Sequence, residues 1–128
     1  MIERALTAWD WGEAFAVLAL ALKPRIDEIV HVDLARAARA HHDPVLAELL
    51  ASLHEDSAWE RSWTRALVQT AVAQREDNRA ALQQWVTTWR PLVDEAAIAL
   101  APLYDAEPDR SNATHDAFLR SCGLEGGM

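Results

Sequence analysis

Apolar positions recur at helical spacing along most of this chain, and no alternation of apolar and polar residues lasts long enough for a strand. Five helical segments are predicted. The first covers residues 2–22 and ends in nine consecutive apolar residues, 14–22, which have no polar face of their own. Pro24 disfavours helical geometry at Lys23, so a break or kink is expected there. The second covers residues 25–40, where Ile26, Ile29, Val30, Leu34 and Ala37 form one stripe. His41-His42-Asp43-Pro44 punctuates it: Asp43 suits an N-cap and Pro44 the first turn of a third helix, Pro44–Gln74. Leu46, Leu49, Leu50 and Leu53 begin that helix's stripe, which passes through Ser57, Glu60 and Thr64 before Leu67 and Ala71 resume it. A fourth helix spans residues 78–89, and Pro91 either kinks it or opens a turn towards Leu103. Residues 106–111 read as a polar loop, and a short last helix over 114–121 is stopped by Gly123. The expectation is an all-α fold in a single domain, 1–124, with a flexible tail at 125–128.

Composition agrees with helices: only four Gly and five Pro in 128 residues, with 51 % apolar content that drives folding into one modest core. A net charge of −8 argues against nucleic-acid and anionic-membrane partners, which need a basic surface. Acids at Glu3, Asp10 and Glu13 interrupt any signal-peptide core, and nine apolar residues fall far short of the roughly 20 that span a bilayer. With a single cysteine, Cys122, these features predict a cytoplasmic protein, and the sequon at Asn112-Ala113-Thr114 is read as unused.

Three carboxylates break apolar faces. Glu13 precedes the nine-residue run, Asp33 sits within the second helix's stripe, and Glu60 lies in the third's. A buried acid needs a partner, so these are either structural, paired with Arg36, Arg61 or Arg65, or functional as metal ligands or acid–base groups. Six tryptophans are a second peculiarity. Trp59/Trp63 and Trp85/Trp89 are i, i+4 pairs, each placing two indoles on one helix face, as core or interface anchors do.

Metal-ligand spacing occurs once, in Glu28-Ile29-Val30-His31, preceded by Asp27. Helical di-iron proteins use this Glu-x-x-His unit twice, with two further carboxylates, and neither the second unit nor those carboxylates can be found. Measured from Ile26 at about 100° per residue, Glu28 lies about 160° and His31 about 140° round the helix, which places both on the surface. Glu13 is fifteen residues upstream, about 22 Å along a continuous helix. Glu13 and Glu28 then cannot touch one metal centre unless the chain folds back at Pro24, and an alternative reading is a homodimer whose two half-bundles assemble a di-iron site from Glu13, Glu28 and His31. His41 and His42 sit in a turn, His54 borders the leucine stripe, and His115 falls near the C-terminus. No phosphate loop or nucleophile elbow is present.

Asp10-Trp11-Gly12-Glu13, the run ending Leu20-Ala21-Leu22-Lys23-Pro24, and Asp27-Glu28 resemble the β subunit of bacterial multicomponent di-iron monooxygenases, the toluene, phenol, alkene and propane hydroxylases. So do Asn78-Arg79-Ala80-Ala81-Leu82-Gln83-Gln84-Trp85 with Trp89-Arg90-Pro91, and the ending from Phe118-Leu119 to Gly123-Leu124. The likeness covers nearly all of this chain and the C-terminal part of a full-length β subunit. It implies a partial ferritin-like helical bundle without metals of its own, scaffolding an α subunit that holds the two irons. Where the α subunit carries its second Glu-x-x-His, this chain has Glu55 followed at the third position by Ala58. The face of residues 14–22 is then expected to be covered by another chain, the α subunit or a second copy, with Trp9, Trp11, Phe15, Leu18 and Leu22 as contacts. A helical interaction module unrelated to oxygenases is the remaining alternative.

Overall fold

A computed structural model describes residues 3, 4, 7, 10–104 and 106–126, and every regular element among them is helical. Four long helices make a partial bundle. The first, α1, occupies residues 11–40 as five successive pieces: α-helical Trp11–Phe15, π-helical Ala16–Leu22, α-helical Lys23–Asp27, π-helical Glu28–Asp33 and α-helical Leu34–Ala40. Next come α2 (Pro44–Gln74) and α3 (Asp77–Leu100), then a 3₁₀ turn at Ala101–Leu103 and finally α4 (Pro108–Ser121). α1 is the central rod, in contact with α2, α3 and α4.

Of the break or kink expected at Pro24, the break does not occur: the helix runs through it. An α-helix would pair the amide of residue 24 with the Leu20 carbonyl, and proline has no N–H to give. Two features accommodate the loss. The preceding turn widens to π geometry, in which the Lys23 amide reaches back five residues to Leu18. From α4, His115 Nε2 donates to the Leu20 carbonyl at 2.7 Å. The proline defect thus becomes a tertiary hydrogen bond between two helices.

Most of the nine-residue apolar run is covered within the chain. Ala16 and Leu20 enter a core cluster with Val68, Val72, Leu82, Val86 and Leu119, against which Phe15 packs. Val17 and Ala21 join Trp89 and Val93, with Leu22 at the margin of that second cluster. Leu18 is the run's outward residue, 47 % exposed.

Helix ends follow the local chemistry. Asp43 Oδ1 accepts from the Leu46 amide at 3.0 Å, so α2 starts at Pro44 as the sequence predicts. Pro91 lies inside α3 without ending it. The loop expected over 106–111 is helical from Pro108, because proline suits a first turn, where its missing N–H goes unused. α4 ends as predicted at Gly123, whose φ of 77° allows the Gly123 and Leu124 amides to bond Arg120 and Leu119. Beyond it, Leu124 is buried, and the Glu125 amide donates to Gln83 Oε1 at 2.7 Å. Residues 127 and 128 of the expected tail lie outside the described residues.

Candidate functional site

The second π segment gathers the most buried acids among the described residues. Glu28 Oε2 and Asp33 Oδ1 each lie 2.8 Å from Arg110 of α4, on Nη1 and Nη2 respectively. Residues five apart on an α-helix sit about 140° apart. A π turn closes on the fifth residue instead, so the two carboxylates fall on one side and share one guanidinium. Asp33 also receives Arg36 Nη2 at 3.2 Å, the pairing anticipated from sequence. Burial works against the charge of Arg110, but its bonds to Glu28 and Asp33 outweigh this and raise its pKa.

This geometry corrects the surface placement of Glu28, which is only 6 % exposed. A uniform 100° per residue misplaces side chains wherever a helix contains π turns. Arg110 was hidden from the sequence by its assignment to a loop. The signal available was the spacing of Ser111, His115, Phe118, Leu119 and Cys122, one continuous stripe that is buried along α4.

A second polar layer lies between α1, α3 and α4. Arg90 Nη2 donates to Asp116 Oδ1 at 2.8 Å and to Asn112 Oδ1, and Arg90 Nε reaches Asp94 at 3.4 Å. Arg25, 3 % exposed, is 3.6 Å from Asp94. Burial lowers the pKa of Arg25 against the pull of that aspartate. His115 is wholly buried, and burial pushes its pKa down to about 4, against the hydrogen bond to Leu20. It is therefore a neutral imidazole with its proton on Nε2.

The remaining candidate ligands are dispersed. Glu13 Oε1 accepts from the Trp89 indole at 2.9 Å. His31 is half-buried rather than on the surface, 3.2 Å from Ser57 Oγ. That hydroxyl donates to the Leu53 carbonyl, which leaves its oxygen to accept from His31 Nδ1. Burial lowers the pKa of His31. Glu13, Glu28 and His31 thus serve three different partners, and among the described residues no group of three or more His, Cys, Asp or Glu side chains is arranged to hold a metal. Glu60 is not buried: it is 49 % exposed and bonds Lys23 at 3.1 Å rather than an arginine.

Of the residues expected at a partner interface, Trp9 lies outside the described residues. Trp11 is 79 % exposed and Leu18 is also exposed, whereas Phe15 and Leu22 are half-buried against the chain's own core. Sequence reasoning missed the exposure of α2, where Trp59 is 72 % and Trp63 53 % exposed, with Val45, Leu49 and Leu53 also facing outward. No helix among the described residues is long and apolar enough to cross a membrane.

Comparison with known proteins bears on this arrangement. The profile of the Methane/Phenol/Alkene Hydroxylase family matches residues 1–75. The chain is also 37 % identical over 107 residues to the toluene-4-monooxygenase system, hydroxylase component subunit beta, of Ectopseudomonas mendocina. That alignment takes in 84 % of this chain and 32 % of the relative, so the chain spans about a third of the relative's length. By the family match over the whole of its first two helices, and by its likeness to a hydroxylase β subunit, the chain belongs to the methane/phenol/alkene hydroxylase family.

Proposed function

We propose that this chain is a non-catalytic, β-type part of a multicomponent monooxygenase, packing against an α subunit that carries the di-iron centre. The observation that supports this most directly is the arginine clamp. An inward Glu28 in a Glu-x-x-His unit is the residue a di-iron bundle would use as a ligand. Here its oxygen is held by Arg110 at 2.8 Å, and Asp33 beside it is held by the same guanidinium. A permanent cation with five donors stands where a metal would otherwise neutralise these acids. The donor set present therefore does not fit an iron site, and the chain's contribution to hydroxylation is mechanical: a rigid, charge-neutralised bundle that supports a neighbour.

The test is co-expression with the cognate α-type subunit, followed by size-exclusion chromatography with light scattering and elemental analysis. The expected result is a stable complex in which iron scales with the α subunit, while the chain alone carries none. Stoichiometric iron on the isolated chain, lost on His31→Ala, would overturn the reading in favour of a shared site from Glu13, Glu28 and His31.

A further inference from the structure

α2 carries two apolar stripes, and the bundle uses one. Leu50, Val68 and Val72 face the core. Val45, Leu49, Trp59 and Trp63 lie roughly 140° away round the helix and point outward. The outward stripe continues onto α1, where the Phe15 ring meets Trp63 edge-on at 6.3 Å and Leu18 stands exposed nearby in sequence. Between the two helices opens a cleft of about 380 Å³, lined by Ala19, Pro24, Trp59 and Trp63. That is more than twice the roughly 150 Å³ that accommodates benzene, so a large apolar side chain fits.

The charges along the outward side of α2 are acidic, although Lys23 and Arg61 line the cleft itself. From Asp43 to Glu60 there are five acids and no lysine or arginine. Glu60 is held by Lys23, but Glu48, Glu55 and Asp56 are exposed and in no ion pair among the described residues. Exposed apolar patches with a charged rim mark interaction sites, and the unpaired acids beside this one favour a basic counterpart.

We infer that the α1–α2 seam docks a helix of the partner hydroxylase subunit, one that inserts an apolar face between Trp59 and Trp63 and flanks it with lysine or arginine. This rests on the β-type reading above and specifies its contact. The indoles supply the anchors, since buried tryptophans dominate interface energetics, and the acids steer association.

The test uses the chain with its cognate α-type subunit in surface-immobilised binding at several salt concentrations. Trp59→Ala with Trp63→Ala is expected to weaken binding at least 100-fold. Glu55→Lys with Asp56→Lys is expected to slow association about tenfold and abolish its salt dependence. Ile98→Ala with Leu103→Ala, exposed apolar residues near the other end of α3, should change nothing. Equal binding by all variants would overturn the seam while leaving the β-type reading intact. Failure of the wild-type chain to bind would overturn that reading and the seam with it. A wild-type homodimer broken by the tryptophan pair would assign the face to a second copy and overturn the inference. Each variant's far-ultraviolet spectrum confirms folding, which exposed positions should not disturb.

Discussion

At the scale of single residues, two side chains of α4 carry unusual weight. His115 has its pKa near 4 in the fold against 6.5 when free. The unfolded chain therefore binds a proton that the fold refuses, and stability falls as pH drops from 6.5 towards 4. The loss across that window is about 3 kcal/mol, measurable as a falling urea midpoint. His115→Gln, which keeps a donor for Leu20 and cannot titrate, should flatten that part of the slope. Arg110→Ala strips the cation from Glu28 and Asp33, leaving Arg36 alone on Asp33. Removing one partner of a buried pair costs about 3–5 kcal/mol, and the lower end is expected because Arg110 is itself partly exposed. Adding Glu28→Gln and Asp33→Asn to that variant should recover most of the loss, since the acids would no longer need neutralising. Chemical denaturation of the single and triple variants measures both effects.

Individual elements show where local rules suffice. The N-cap of α2 is a sequence feature with a one-to-one structural counterpart, and Asp43→Ala should cost about 1 kcal/mol, read as a small drop in Tm. Gly123 likewise stops α4 where a left-handed residue is needed. α1 is the contrary case. A proline and an apolar run without a polar face read as two helices, yet the element is continuous because neighbouring helices offer what the backbone lacks. His115 supplies a donor, the core clusters absorb the run, and π turns shift the register so that acids five residues apart align. None of this is local, which is why the angular placement of Glu28 went wrong and that of Asp33, on the apolar stripe itself, came out right.

For the whole molecule, the division between internal and outward aromatic residues sets the energetics. Trp89→Ala should destabilise the isolated chain by about 4 kcal/mol, because it empties a core site and strands Glu13 without its indole donor. Replacing Trp59 by serine should leave that stability within about 0.5 kcal/mol, since this indole is 72 % exposed in the chain. A thermal melt of each separates the two classes, although all four paired tryptophans look alike as i, i+4 spacings.

The order of side chains along the polymer was enough to establish the helical class, the N-cap of α2 and the C-terminal stop of α4, the absence of a strand pattern and the family, because these depend on contacts a few residues apart or on matching residues. It also pointed to Asp33 as a buried acid needing an arginine. Which face of α1 is inward, that Arg110 and His115 serve it from 82 and 95 residues away, and that α2 keeps a second apolar stripe for the outside were decided only by the packing of the four helices. Burial is a property of the assembled surface, and a proline or an acid becomes tolerable only when a distant side chain arrives to satisfy it.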